Sequence, residues 1–573
     1  MRRVLLSSFC GLSALAQDPQ AAGRIQKDVN ALASPQWKGR GNGEEGLEAA
    51  SGYLRQRLVA SGLKVEIQRF PLALAPQVEQ AQVVITTEGQ PRPLERGKDF
   101  EVMGWSGSGE VSASSLLLLG SGLQLHTFQD TALSDLSGKV VVIPRRTSAT
   151  VAPGATGIER SLSQRIKRLE AMHPAAVLVL EEGAVLPLQR EEGPASFAMP
   201  VLSIRKGWLD TLQPGLESER EAAAQVGQPF AKDLEGLSCQ IRLALRPRSV
   251  QLPNLKVEIP GHGGLYAAER IVIGAHMDHL GMGARHSLGG AAAMGVPHLG
   301  ADDNASGSAL VVELARRFHR KPLRRTVTAL LFSGEEEGLL GSRAYVDRAD
   351  SRVKSIRLMA NFDMVGRLDA AHPKLLLGAY GAPASALTQA QQLAPSGWTV
   401  SGDLGASVGG SDHMSFAAAG IPTFFFFTGL HADYHRPSDT ADKINAAGIA
   451  ELADYAERLL RALDAQNDLP AFDPSTAKSQ GAVSPMKVTF GTIPDYGSDS
   501  RGFRINGVVK DGAAEAAGLR AGDVITHIAG REVKDIHGYM AILSDLKAGV
   551  PVRVRWLRDG QAMEADATPK GRP

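Results

Sequence analysis

The sequence predicts an α/β protein with a mixed, mostly parallel sheet carrying helices on both faces, joined to a β-rich inserted domain and a small C-terminal unit. Three observations predict it. From residue 271 onward short apolar strands alternate with helical segments, the rhythm of parallel sheets whose crossovers are helices. Residues 108–248 replace that rhythm with short apolar strands between loops containing Gly, Pro and Ser. And 573 residues exceed one ordinary core, since domains run to roughly 100–200 residues.

At the N-terminus, Met1-Arg2-Arg3 precedes an apolar run through Leu12 and a small-residue exit at Ala14-Leu15-Ala16. Residues 1–16 therefore read as a signal peptide, and the run is well short of the ~20 residues that span a membrane. The chain is expected to be exported, periplasmic or extracellular, with no transmembrane segment. Once the signal is removed, Cys239 is the remaining cysteine, which excludes an internal disulfide and a cysteine zinc site. With 62 Lys+Arg against 61 Asp+Glu, the net charge is +1, and nothing in that balance favours nucleic acid.

The first part of the α/β domain, residues 17–107, opens as helix, loop, helix and strand, with a break at Trp37-Lys38-Gly39-Arg40-Gly41 and apolar periodicity from Gly46 to Ala60. In the insert, Leu116–Leu119, Val140–Ile143 and Val177–Leu180 are the strands. The second part, 249–465, offers strands at 271–275, 326–332 and 356–362, and helices at 306–320 and 341–347. Thr423-Phe424-Phe425-Phe426-Phe427 is too apolar to alternate, as a central strand covered on both faces would be. A helix at 446–465 closes the domain, a polar linker follows at 466–485, and residues 486–570 form the last unit.

Four potential metal-ligand motifs follow predicted strands: His276-Met277-Asp278, Glu335-Glu336-Glu337, Asp363 and His435. Open α/β sheets place ligand sites beyond the carboxyl ends of their strands. A fifth segment, Gly300-Ala301-Asp302-Asp303-Asn304-Ala305-Ser306-Gly307, leads into a helix, so one of its acids can project into the same crevice. Zinc accepts imidazole nitrogen and carboxylate oxygen, and a hydrolytic metal pair needs a carboxylate shared between the ions. Two histidines and three carboxylates would supply that set. Gly405-Ala406-Ser407-Val408-Gly409 fits the serine-hydrolase pattern, but it lacks the strand before and helix after that a nucleophile elbow requires.

These segments, with Gly338-Leu339-Leu340-Gly341-Ser342, Asn361-Phe362-Asp363-Met364 and Tyr434-His435, resemble the co-catalytic di-zinc aminopeptidases of metallopeptidase family twenty-eight. The resemblance implies a zinc aminopeptidase/phosphorylase-hydrolase-like fold and two Zn2+ per chain. His276 and Asp363 would hold one ion, Glu336 and His435 the other, and Asp303 would bridge them. Glu335 is implied as general base and Tyr434 as a phenol able to hydrogen-bond the oxyanion. Asp278 would orient His276 from behind. The implied substrates are peptides with a free N-terminus.

Residues 108–248 resemble a protease-associated domain, which in this family lines or covers the substrate cleft. From Met486 onward, Gly502-Phe503-Arg504-Ile505, Gly512-Ala513-Ala514-Glu515-Ala516-Ala517-Gly518-Leu519 and Gly522-Asp523-Val524-Ile525 resemble a bacterial-protease PDZ domain. That resemblance implies that Gly502, Phe503, Arg504 and Ile505 receive a peptide C-terminus. The alternatives are a single-zinc glutaminyl cyclase on the same fold and a peptide-binding protein without catalysis.

Overall fold

The computed structural model describes residues 18–571 except 126–127, 131–134, 146, 148–160, 182–184, 186–187, 189–196, 213, 284–285, 290–292, 294, 349–350, 403–409, 432, 478–487, 495–501, 509–511, 521, 534–538, 540–541, 544–545 and 559. The expected signal peptide, the Gly405–Gly409 pattern and part of the expected linker thus lie outside the described residues. Among those described, no helix is long and apolar enough to cross a membrane.

The described residues divide into two compact units, one holding 18–70 and 251–477, the other 71–250 and the C-terminal region. In the first unit Arg270–His276 lies between Thr326–Phe332 and Ile356–Phe362, parallel to both, and Thr423–Phe427 runs parallel to Ile356–Phe362. Flanking strands are antiparallel: Lys374–Tyr380 against Thr423–Phe427, and Leu237–Ile259 against Thr326–Phe332. The four parallel strands are buried over nearly their whole length, which is why they read as apolar runs instead of alternating ones. Two helix groups explain this double cover. Ala21–Leu32, Gly307–Arg320 and Ala446–Asp464 pack together and against the sheet, while Tyr345 and Phe416 of two short helices join Val272, Phe332 and Met359 in a separate core cluster.

In the second unit, Leu116–Leu119, Val140–Pro144, Ala176–Glu181 and Val201–Arg205 form a parallel run, extended at its edges by Ala231–Leu234 and Phe100–Val102. The insert's sheet therefore begins before residue 108. Phe100 and Val102 are buried in its core, although three residues are too few to announce a strand by periodicity. The C-terminal sheet has the strand order Thr492–Pro494, Phe503–Val508, Val524–Ile528, Val552–Arg558, Gln561–Ala567.

Candidate metal centre

The sheet's geometry delivers the site residues. Three parallel strands end side by side, carrying His276 at the last position of one, Glu335 and Glu336 three and four residues past the second, and Asp363 one past the third. Asp303 arrives from the turn at Ala301–Ser306 that leads into the helix Gly307–Arg320. Asn304 fixes that turn: its Nδ2 donates to Phe362 O at 2.9 Å, and its Oδ1 accepts from Gly307 N at 2.9 Å. Asp439 Oδ2 accepts from the backbone N–H groups of Asp302 and Asp303 at 2.8 and 3.1 Å. The Pro437–Thr440 segment thus supports the bridging turn.

Asp303 divides its carboxylate between two groups. Oδ1 lies 3.3 Å from His276 Nε2, which is 3.4 Å from Asp363 Oδ1. Oδ2 lies 3.2 Å from His435 Nε2, which is 3.4 Å from Glu336 Oε2. These separations fit a metal better than direct hydrogen bonds, because tetrahedral zinc with bonds of ~2.0–2.1 Å has ligand–ligand edges of roughly 3.3–3.4 Å. The five residues expected to hold two ions are therefore assembled in two groups sharing Asp303, and Asp302 turns away to accept Gly366 N at 2.6 Å and face His431 Nε2 at 3.1 Å.

Charge supports the same fit. Burial opposes protonation of His276, yet Asp363, Glu335 and Asp303 outweigh it and hold the imidazole pKa well above the usual range. His435, also opposed by burial, is raised to about 9 by Glu336 and Asp303. Burial, with Glu336 and Asp363 nearby, pushes Glu335 well above an ordinary carboxyl, although His276 partly offsets it. Such an excess of buried carboxylate is what a bound cation neutralises.

Asp278 does more than expected. Its backbone oxygen is 3.2 Å from His276 Nδ1 and its Oδ1 3.7 Å away, while its carboxylate accepts the N–H groups of Glu335 and Glu336, each at 3.3 Å. Asn42 Nδ2 donates to it at 2.6 Å and Asn42 Oδ1 accepts from Gly334 at 3.0 Å. Asp278 thereby ties one histidine ligand to the Glu335–Glu336 turn. Tyr434 stacks on His435, ring centroids 3.8 Å apart. Burial, aided by Asp303 and Glu336, raises its phenol far above the usual range, so it remains a proton donor.

Three features escaped the sequence reading. Arg40, fully buried, donates to Met277 O at 2.8 Å, Leu32 O at 2.6 Å, Leu299 O at 2.7 Å and Gly300 O at 2.9 Å, clamping the loops that carry His276 and Asp303. Gly39 before it, at φ 72°, meets the carbonyls of His298 and Gly281 where a Cβ would be, so no other residue fits. The Gly281–His298 loop orients His435: His286 O is 3.0 Å from Nδ1, and Leu288 N donates to His435 O at 2.9 Å. An imidazole that donates outward presents its other nitrogen to a metal. His279, the third feature, is buried with Nδ1 2.8 Å from Glu336 Oε1.

The ligand groups open onto a cavity of about 90 Å³. Its lining combines Asp303, Glu335, Glu336, Asp363 and His435 with the apolar Met364, Phe425, Phe427 and Leu430.

In the C-terminal unit the expected peptide-binding residues lie at the start of the strand Phe503–Val508. Phe503 and Arg504 pair with Ile525 and Val524 on one side, and the same strand pairs with Thr492–Pro494 on the other. Ile505 N donates to Asp523 O and its oxygen accepts from Gly522 N, at 2.9 and 2.8 Å. Among the described residues, Ile505 thus lies between two neighbouring strands, and Phe503 and Arg504 are paired on one side. One edge of this sheet is Thr492–Pro494, preceded by Gly491 at φ 74°, and the other is Gln561–Ala567.

Comparison with known proteins shows which class this fold and site resemble. Residues 254–460 match Peptidase family M28 and residues 485–568 match the PDZ domain. The chain thus carries an M28 domain, which makes it a peptidase-class hydrolase, together with a C-terminal PDZ domain. It is 22% identical over 368 residues to Aminopeptidase YwaD of Bacillus subtilis (strain 168), covering 62% of this chain and 69% of that protein. To the Aminopeptidase of Pseudomonas aeruginosa (strain UCBPP-PA14) it is 25% identical over 374 residues, covering 63% and 60% respectively. The solved aminopeptidase from Aneurinibacillus sp. strain AM-1 shares the fold, with a TM-score of 0.51 and 22% identity over 79% of this chain and 96% of that one.

Proposed function

We propose that the chain is an exported zinc aminopeptidase that uses two metals and Glu335 as its general base. The observation that carries this reading is the division of Asp303 between the His276/Asp363 and His435/Glu336 groups. Aminopeptidase names among the relatives support it. Zinc bound in these groups would supply Lewis-acid polarisation of a carbonyl and an acidified water.

The protein's own residues do the rest. Glu335 takes the proton of the attacking water and returns it to the amine nitrogen as the C–N bond breaks. Tyr434 donates toward the oxygen on which negative charge develops. The carboxylates left over attract a free α-ammonium group, and the Met364, Phe425, Phe427 and Leu430 wall selects an apolar first side chain. The parallel sheet of the insert supports its reading as a protease-associated domain, and Thr492–Pro494 is the edge on which a peptide C-terminus would dock.

Chelation of the purified chain is expected to abolish hydrolysis of unblocked peptides, and zinc to restore it. N-acetylated versions of the same peptides should resist cleavage. Equal rates on blocked and free peptides would exclude an aminopeptidase; one zinc per chain with cyclisation of N-terminal glutamine would favour the cyclase.

A further inference from the structure

His279 follows the ligand His276 by three residues and is not part of the expected ligand set. Its ring is fully enclosed, 1% exposed, and its backbone N–H donates to Arg40 O at 3.2 Å. One side of the ring lies on Gly300, where a Cβ would stand 2.5 Å from Cδ2, so this glycine leaves room for the imidazole. The ring meets that of His435 edge-on, with centroids 5.8 Å apart.

Its two nitrogens are not equivalent. Nδ1 stands 2.8 Å from Glu336 Oε1 and 3.8 Å from Asp303 Oδ2. Nε2 is buried with no hydrogen-bond partner among the described residues. The carboxylate beside Nδ1 selects the tautomer with its proton there. A separation of 2.8 Å is a hydrogen bond, shorter than the edge of a zinc tetrahedron. Glu336 is thereby split: Oε1 is occupied by His279, and Oε2 is left facing His435 Nε2 at 3.4 Å.

We propose that His279 is a positioning residue for the second metal: its Nδ1–H holds Oε1 of Glu336 so that Glu336 offers the metal a single oxygen, Oε2. Without that donor the carboxylate is free to rotate or to offer both oxygens, and the coordination position that substrate needs would be contested. The inference rests on the two-metal reading above.

Asparagine separates positioning from ligation. Its amide nitrogen can stand where Nδ1 stands and donate the same hydrogen bond, but it is a poor zinc ligand. Zinc stoichiometry and affinity of the full chain by equilibrium dialysis, with the cobalt-substituted absorption spectrum as a second readout, are therefore measured for the wild type, His279→Phe and His279→Asn. The first zinc, held by His276 and Asp363, reports on folding in every variant.

The expected result is two zincs in the wild type, a second zinc weakened about 10–100-fold in His279→Phe with the first unchanged, and recovery to within about threefold in His279→Asn. A second zinc of unchanged affinity in His279→Phe overturns the inference. So does His279→Asn as weak as His279→Phe, which would make the imidazole itself a ligand or a packing element. If His279→Phe fails to fold, His279→Asn decides: a lost second zinc there overturns positioning, a retained one with a wild-type cobalt spectrum supports it. A wild-type chain that binds one zinc overturns both this inference and the two-metal reading.

Discussion

Two groups of buried charge lie at opposite ends of the helix Gly307–Arg320, and they obey opposite rules. On its C-terminal half, Arg24, Arg316, Arg317 and Arg461 meet Asp18, Glu313, Asp454 and Glu457 at 2.5–3.3 Å, with Arg320 reaching Asp18 from the exposed rim. Ahead of its N-terminus, Asp278, Asp303, Glu335, Glu336 and Asp363 surround His276 and His435, with Arg40 one layer behind. The first group is complete as protein. The second keeps an excess of carboxylate, which the cations of the proposed function would neutralise.

The same residue type records the difference. Burial raises the pKa of both Glu313 and Glu335. Arg316, Arg24 and Arg317 more than reverse it at Glu313, which falls to about 2, whereas at Glu335 the neighbouring carboxylates add to it. The contrast is one of charge balance: arginines surround Glu313, whereas carboxylates crowd Glu335.

The largest effect should come from breaking the incomplete group at its working residue. Glu335→Gln is expected to lower kcat by about 10²–10⁴-fold while the protein still binds the wild-type amount of zinc. Steady-state kinetics beside metal analysis check both halves; loss of zinc in the variant would make Glu335 a ligand and not a base.

Much of this incomplete group was legible in the sequence, because strand ends collect residues far apart in the chain and each ligand stands at or just past an apolar run. His276, Asp303, Glu336, Asp363 and His435 meet as expected. Arg40 was not legible: it lies 237 residues from Met277, one of its partners, and a lone arginine in a loop normally signals a solvated surface. Nor was His279, whose role depends on which oxygen of Glu336 it faces. Gly502–Ile505 shows a third limit of local sequence. The local pattern identified the strand, but whether a strand is an edge or an interior one depends on the neighbours that the rest of the chain supplies.

A smaller effect tests the complete group. Glu313 has a folded-state pKa of about 2 against an ordinary 4.5, so its contribution is fully present above about pH 4.5 and is lost as pH falls toward 2. Glu313→Gln should destabilise the chain by on the order of 2 kcal/mol at pH 7, allowing for the solvent that reaches Arg24 and Arg316. The deficit should shrink as pH drops from 5 to 3, and kcat should change by less than about twofold. Urea unfolding across that range measures it; a deficit independent of pH would mean lost packing, not lost charge.

The smallest effect isolates burial from pairing. On the strands Val552–Arg558 and Gln561–Ala567, Arg553 sits 2.7 Å from Asp566 and 3.1 Å from Glu564, and Arg555 sits 2.9 Å from Glu564. These contacts are as short as those around Glu313, yet every partner is about half exposed. Water and salt screen such a ladder, and ordering two long side chains offsets much of the attraction. Arg553→Gln is therefore expected to change unfolding stability by about 0.2–1 kcal/mol, with the difference vanishing near 1 M salt. The Glu313→Gln deficit should survive that salt because three arginines surround a side chain that is 3% exposed. Equal salt sensitivity in the two variants would mean that solvent reaches the helix network after all. What separates these two regions would then be the number of partners and not their enclosure.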